Sequence, residues 1–158
     1  MRPLRRFKQE LPDVEVIEIL TTGKVATWAL DGDDGFPYAV PVNYVYADGA
    51  IYIHCAKEGH KIDAINRNPK CSLCIIDKDD IVPERFTTHF RSAITFGLAK
   101  IVAPIDEKVK ALQLLCEKYS PGIDPSGEIQ QSIGRVAIVK VEIVKATGKQ
   151  AIELVNMS

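Results

Sequence analysis

The sequence predicts a mainly β, α+β fold, an antiparallel β-barrel of about six strands with a few flanking helices. Apolar and polar residues alternate in several runs, which is the pattern of strands with one buried face. Turn-forming sequences such as D-G-D-D-G and D-G join neighbouring runs, as they do in hairpins. Few helical segments separate the strands, so an antiparallel barrel is favoured over alternating βαβ units.

The composition fits a single globular domain over residues 1–158, because hydrophobic residues make up 46% of the chain. No apolar run approaches the roughly 20 residues of a membrane helix, and the N-terminus lacks the apolar segment of a secretory signal. The formal net charge of -1 provides no broad basic field for nucleic acid. We therefore expect a cytoplasmic protein that binds neither membranes nor nucleic acids.

A small basic cluster stands at the N-terminus, where Arg2, Arg5, Arg6 and Lys8 follow one another closely. We interpret this cluster as a solvated chain end. An anion-binding arm is the alternative.

The first third of the chain contains one predicted helix, over residues 13–21, and two predicted strands, over residues 25–30 and 37–46. Pro41 cannot donate a hydrogen bond to a sheet, so it indicates an edge or a bulge. Backbone groups at such a position can face a ligand instead of a neighbouring strand. Asn43 adds a side chain with two donors and an acceptor. The alternative is a bulge that only bends the barrel.

The segment over residues 50–69, A-I-Y-I-H-C-A-K-E-G-H-K-I-D-A-I-N-R-N-P, organises the predicted site. It indicates a strand, a loop with Gly59, and a helix over about residues 61–68. A helix start exposes free backbone N–H groups and the positive end of the helix dipole, which suits a phosphate. Lys61 adds a full positive charge there. The alternative is a solvated connection with a surface lysine.

The second half of the chain predicts strands over residues 70–76 and 91–102, separated by a polar loop, residues 77–89, whose pattern we cannot assign. Gly97 is expected at a bulge or at a close approach of two backbones. The remaining predicted elements are a helix over residues 106–119 and a strand over residues 136–145.

Two of the four cysteines, Cys71 and Cys74, have the CxxC spacing of metal and redox sites. Positions three apart on a strand face opposite sides, so these two thiols are poorly placed to share a metal ion. We expect Cys55, Cys71, Cys74 and Cys116 to be reduced structural residues, with no metal bound.

Three segments together resemble the pyridoxamine-phosphate-oxidase-like, FMN-binding split-barrel superfamily, and more closely its nitroimidazole-resistance, nitroreductase-like branch. They are P-Y-A-V-P-V-N-Y-V-Y, the segment over residues 50–69, and F-R-S-A-I-T-F-G-L-A. Their order and spacing also match, and the resemblance covers about residues 1–150. It implies a six-stranded antiparallel split barrel with Greek-key connections.

The resemblance also implies an FMN-dependent oxidoreductase that reduces a small-molecule acceptor such as a nitroimidazole, with FMN held between the subunits of a homodimer. Lys61 matches the phosphate-binding lysine of the family, Ser92 a position near the phosphate or ring, and His54 the active-site histidine. An imidazole can donate a proton near neutral pH. The residues that the resemblance assigns to the cofactor are Pro41, Val42, Asn43, Tyr44, His54, Cys55, Ala56, His60, Lys61 and Ser92.

Other interpretations remain open. The ending A-I-E-L-V-N-M-S lacks the arginine-containing segment of true pyridoxamine phosphate oxidases, so we do not expect vitamin B6 oxidation. The chain could instead be a non-enzymatic flavin- or haem-binding carrier or sensor, and deazaflavin could replace FMN. His54 could be a packed histidine. A metal site of His54, His60, His89 and the cysteines is a weaker alternative.

Overall fold

The structure, a computed structural model that describes residues 1–157, contains one antiparallel sheet with one strand more than predicted. The strands are β1 (Ala26–Asp31), β2 (Pro37–Val42), β3 (Val45–Ala47), β4 (Ala50–Ala56), β5 (Lys70–Val82), β6 (Thr87–Ile101) and β7 (Val136–Gln150). They lie in the order β2-β1-β5-β6-β7-β4-β3. The predicted mainly β class is confirmed.

Five helices connect or flank these strands, three of them at predicted positions, whereas α4 and α5 were not predicted; three 3₁₀ turns complete the described residues. The helices are α1 (Asp13–Thr22), α2 (His60–Arg67), α3 (Ile105–Tyr119), α4 (Ser126–Ser132) and α5 (Ile152–Val155). The three long predicted helices are confirmed to within a residue at each end. Between residues 1 and 157, no helix is long and apolar enough to cross a membrane.

The sheet curls into a barrel because its two edge strands, β2 and β3, are consecutive in the chain. Asn43 and Tyr44 connect them, and three Cα–Cα steps span at most about 11 Å, so the edges must approach each other. The single strand predicted over residues 37–46 is therefore wrong: β2 pairs with β1, whereas β3 pairs with β4. The predicted edge position of Pro41 is confirmed.

The barrel interior is filled by the inward faces of the strands, with Trp28, Tyr44, Leu73 and Val141 fully buried. Helices α1 and α2 add side chains to the same core, α1 packing against β7 and α2 against β1. A cofactor of flavin size therefore cannot occupy the interior and must lie outside it.

Helices α3 and α4 cover part of the outer surface of the barrel. Along β4, Ile51 and Ile53 face the interior while Tyr52 faces outward, as the two-residue period of a strand requires. Tyr52 belongs to a second apolar cluster in which β3, β4 and the first residues of β7 pack against these helices. Its buried members are Val45, Ala50, Tyr52, Val102, Ala111, Leu112, Leu115, Ile129 and Ile138.

The polar segment over residues 77–89 is a β-hairpin and not a loop. Strand β5 continues past a bulge between Ile76 and Lys78 and pairs with β6 until Val82 lies opposite Thr87. Most of the hairpin is exposed or half-buried, so its residues show no alternation that a sequence pattern could reveal. Strand β7 is likewise longer than predicted and ends at Gln150.

The expected close approach at Gly97 is confirmed. A register shift between β6 and β7 occurs there, and a Cβ atom on Gly97 would lie 2.6 Å from the carbonyl oxygen of Glu142. On β5, Cys71 is buried and Cys74 is half-buried on the opposite face, as the strand period predicts.

Candidate functional site

The connection between β2 and β3 is held in place by the side chain of Asn43 and by the last residues of α3. The Nδ2 group of Asn43 donates a hydrogen bond to the carbonyl oxygen of Lys24 at 2.9 Å. The backbone N–H of Tyr44 donates to the Tyr119 hydroxyl at 3.0 Å. That hydroxyl also lies 2.7 Å from the Lys24 carbonyl oxygen and 2.8 Å from that of Tyr44, and its single proton can serve one of them at a time.

Lys118 binds the same connection from beside Tyr119. Its ammonium group donates to the carbonyl oxygens of Gly23 and Tyr44, and lies 4.1 Å from the centroid of the Tyr44 ring. Burial lowers the pKa of Lys118 to about 8. The two carbonyl dipoles and the ring face act in the opposite direction, because they favour the charged form.

Tyr44 itself points into the barrel and is fully buried. Burial raises the pKa of its hydroxyl, which has no hydrogen-bond partner among the described residues. Gly23 is required beside it, since a Cβ atom there would lie 2.5 Å from the Tyr44 hydroxyl oxygen. Of the residues that the resemblance assigns to the cofactor, Tyr44 therefore has a buried side chain and backbone groups that Tyr119 and Lys118 already bind.

A cavity of about 320 Å³ brings together two predicted site residues, Asn43 and His54. His54 lies on the outward face of β4 and is exposed. Helices α3 and α4, together with Ser120 after α3 and Val136 at the start of β7, form the remaining walls, which are mainly apolar. The other lining residues are Leu112, Leu115, Cys116, Tyr119, Ser120, Glu128, Ile129, Ser132 and Val136.

The end of β4 leads into the start of α2, where Lys61 is half-buried in the first turn. Gly59 precedes the helix with φ 128°, a conformation that favours glycine. The N–H of Asp63 donates to the carbonyl oxygen of Gly59 at 3.0 Å, so the N–H groups of residues 60–62 precede the first helical hydrogen bond. These donors and the Lys61 charge can bind an anion.

Cys55 and Ala56 end the strand, Cys55 buried and Ala56 exposed. Burial raises the pKa of the Cys55 thiol, and the positive charge of Lys61 partly opposes that shift. The thiol is therefore held neutral, which makes it a packing group and not a nucleophile.

His60 is oriented toward the β1–β2 turn. Its ring stacks on that of Tyr38, with centroids 3.9 Å apart, and its Nε2 atom lies 3.7 Å from a carboxylate oxygen of Asp33. We interpret His60 as a support for the start of α2.

Pro41, Val42 and Ser92 occupy two different regions. Pro41 is exposed and Val42 half-buried at the end of β2, beside Asn43. Ser92 pairs with Lys149 near the last residue of β7, whereas Ala56 pairs with Val136, its first residue. Within one chain, Ser92 thus lies toward the opposite end of β7 from the strand end that carries His54.

Sequence reasoning missed Lys118 and the hydroxyl of Tyr119. Both residues lie at the end of the helix predicted over residues 106–119, where a tyrosine fits the apolar side and a lysine is ordinarily solvated, so neither carries a signal of function. The weaker metal hypothesis finds no support, because no three His, Cys, Asp or Glu residues within residues 1–157 are grouped to hold an ion.

The model of the family described as pyridoxamine 5'-phosphate oxidase matches residues 12–150. The chain belongs to this family. The predicted superfamily is thereby confirmed, although a search of curated proteins finds no match.

Solved structures with the same fold share little sequence with this chain. A proposed 5-nitroimidazole antibiotic resistance protein from Bacteroides thetaiotaomicron is 23% identical, with a TM-score of 0.76, over 89% of this chain and 86% of that one. A conserved hypothetical protein from Mycobacterium tuberculosis is 18% identical, with a TM-score of 0.83 over 96% and 92%. The FAD and haem binding protein of Mycobacterium smegmatis is 21% identical, with a TM-score of 0.76 over 92% and 74%. At these identities the likeness shows the fold alone.

Proposed function

We propose that the protein is an FMN-dependent, nitroreductase-like oxidoreductase that reduces a small molecule such as a nitroimidazole and acts as a homodimer. The observation that carries this proposal is the arrangement around the end of β4. This strand presents His54 to the cavity, and the segment that follows it holds Lys61 at the start of α2.

The residues present fit a flavin mononucleotide. Its phosphate needs positive charge and N–H donors, which Lys61 and the first turn of α2 supply. The edge of its ring needs hydrogen-bonding groups, which the backbone at the end of edge strand β2 and the Asn43 side chain can offer. Lys118 and Tyr119 bind the backbone of Tyr44 and so fix the connection that follows β2.

Bound FMN would supply hydride-transfer chemistry, and the chain would bind and orient the reactants. His54 could hold a proton for the acceptor, because its imidazole reaches the cavity. Apolar walls such as Leu112 and Ile129 would reduce the water around that proton.

The homodimer is supported by an uncovered apolar surface, which we call the bare face. It consists of Ile76, Ile94, Phe96, Leu98 and Val144. On it Leu98 is 41%, Val144 60% and Ile76 65% exposed. Contiguous apolar surface of this kind commonly marks a protein interface. A second copy would also supply a second Ser92, which within one chain lies toward the other end of β7 from His54.

The similar solved structures support a redox role, and they also suggest haem binding as a second candidate function. The name of the Mycobacterium smegmatis protein reports FAD and haem binding. His54, open to an apolar cavity, could also hold a haem in a carrier or sensor.

The absorbance spectrum of the purified protein separates these candidates. We expect the two visible bands of an oxidised flavin, and a single intense Soret band would instead favour the haem carrier. Turnover of NADPH with a nitroimidazole then distinguishes an enzyme from a flavin carrier.

Two variants separate cofactor binding from chemistry. Lys61→Ala should weaken FMN binding by about 1.5–3 kcal/mol in a fluorescence titration, the scale of a hydrogen bond to a charged group. Lys57→Ala, which removes an exposed lysine from the preceding loop, is the matched control and should leave affinity unchanged. Equal FMN affinity in Lys61→Ala and the unmodified protein would refute the phosphate assignment.

His54→Gln should keep FMN but lower turnover about 10²–10⁴-fold.

A further inference from the structure

Among residues 1–157, the cavity beside His54 is lined by one carboxylate and by no lysine or arginine. Glu128, in the first turn of α4, supplies that carboxylate. The cavity volume of about 320 Å³ is at the lower end of the range of about 300–1,000 Å³ that is typical of ligand pockets. The space therefore suits a small ring compound, and one negative charge stands at its wall.

The Glu128 carboxylate is available to a ligand. Within the part of the chain that the structure describes, it takes part in no ion pair and accepts no hydrogen bond. Its neighbour Ile129 belongs to the same apolar cluster as Ile138, the residue that pairs with His54 across β4 and β7. Helix α4 thus holds this carboxylate at the cavity to which β4 presents His54.

Two lysines of α3 lie near the lining residues in sequence, but their ammonium groups are bound to backbone oxygens. Lys118 donates to the carbonyl oxygens of Gly23 and Tyr44. Lys108 donates to the carbonyl oxygen of Ile133. Neither lysine lines the cavity. A negatively charged ligand would therefore be repelled by Glu128 with no ammonium group of the walls to offset the repulsion.

Hydrogen-bond donors of the walls are also in use within the chain. The Ser132 hydroxyl donates to the carbonyl oxygen of Glu128 at 2.7 Å, and the Nδ2 group of Asn43 donates to that of Lys24 at 2.9 Å. The Tyr119 hydroxyl gives its proton to one of two backbone oxygens. A carboxylate entering this space would lose water and gain few donors, which costs free energy. An ammonium group would instead bring its own donors to Glu128.

We propose that this cavity selects a cationic aromatic acceptor, with its ring against Leu112, Leu115 and Ile129 and its protonated amine beside Glu128. This inference rests on the proposed function, in which the cavity receives the molecule to be reduced, and it names the class of that molecule. Because Glu128 is exposed, water and salt weaken its field, so the preference over a neutral ring is a few-fold.

The test is calorimetric titration of the oxidised, FMN-saturated protein, in its native oligomeric state, with three probes of matched shape. The probes are para-nitrobenzylamine, para-nitrobenzyl alcohol and para-nitrobenzoate, and no electron donor is present, so binding is measured without turnover. At low salt the amine should bind about tenfold more tightly than the carboxylate, with the alcohol between them. The ratio should decrease as added salt screens the charge.

Variants at Glu128 test whether this residue is the cause. Glu128→Gln should reduce the ratio of amine to carboxylate affinity below about threefold, and Glu128→Lys should reverse the order. Glu117→Gln, which removes an exposed carboxylate of α3 outside the cavity, is the matched control and should leave the ratio unchanged. Affinity for the alcohol should be the same in Glu128→Gln and the unmodified protein, which shows that the variant is folded.

Four outcomes would overturn the inference. Equal affinity for the amine and the carboxylate would mean that the cavity does not read charge. A ratio that Glu128→Gln leaves unchanged would assign the effect to another group. Release of FMN by the amine, seen as flavin in the ultrafiltrate, would make the cavity part of the flavin site. Binding of none of the probes would mean that the cavity holds no such ligand.

The same probes keep this inference separate from the proposed function. Charge selection in binding without reduction of the bound amine, once an electron donor is added, would refute the proposed reaction and support the selection by Glu128. Reduction of the amine and the carboxylate at equal kcat/KM would support the reaction and refute the selection.

Discussion

The outer surface of the barrel has two halves that differ in what covers them. On β3, β4 and the start of β7, outward apolar residues are buried beneath α3 and α4, where Leu115 is 5% exposed. On β5, β6 and the later part of β7, apolar residues such as Leu98 lie uncovered on the bare face. Strands with similar alternation thus serve two purposes. One half completes the core of this chain, and the other remains available to another molecule.

The covered half also contains the candidate site. Helix α3 buries apolar surface, lines the cavity at His54 and clamps the connection at Tyr44 through Lys118. Stability and the position of the site therefore depend on the same helix, whereas we expect association to depend on the bare face.

The largest effect should come from truncating matched leucines on the two halves. Leu115→Ala should lower the free energy of unfolding by about 2–5 kcal/mol, because it leaves a cavity beneath a packed helix. Leu98→Ala, at a site 41% exposed, should cost less than about 1 kcal/mol when the protein is dilute. Urea unfolding at low protein concentration measures both. Equal losses would show that the bare face is already packed within one subunit.

A charge on the bare face should act on association. Leu98→Asp should raise the dimer dissociation constant at least about tenfold, since an unpaired carboxylate would be buried against a second copy. Sedimentation equilibrium measures this constant, and Ile123→Asp, at an exposed position outside the bare face, is the control.

Flavin content should fall with the dimer in this variant, because a ligand that binds only the dimer is linked to its formation. A monomer that retains a full equivalent of FMN would contradict the interface model and favour a groove within one chain.

A smaller effect should come from the proton on Lys118, which makes the free energy of unfolding depend on pH. Its folded pKa, about 8, lies below the ordinary 10.5 of an unfolded chain. Between these values the unfolded chain holds the proton that the folded protein has released, so this residue's contribution to stability increases as pH rises. The free energy of unfolding of the unmodified protein, relative to Lys118→Met, should therefore increase from about pH 8 to about pH 10.

Chemical denaturation at several pH values measures this difference. Lys110→Met on the exposed side of the same helix controls for the loss of a lysine. A difference for Lys118→Met that stays constant with pH would show that burial does not destabilise its charge.

The sequence alone determined the class of fold, the three long helices and the local features of the site. Strand alternation and helical periodicity are patterns among neighbouring residues, so they are visible in the sequence itself. Single residues also predicted local features through their own chemistry. Pro41 predicted a sheet edge, and Gly97 predicted a close approach of two backbones. Gly59 and Lys61 predicted the start of a helix.

Tertiary structure decided the features that depend on residues far apart in the chain. The strand predicted over residues 37–46 is interrupted at Asn43 because the two edges of the sheet meet there. The hairpin over residues 77–89 forms by strand pairing that leaves its polar side chains exposed. Lys118 binds Tyr44, which lies 74 positions earlier in the chain, and Arg2 lines the same cavity as Lys149. No local pattern specifies such contacts, because they exist only after the sheet has closed.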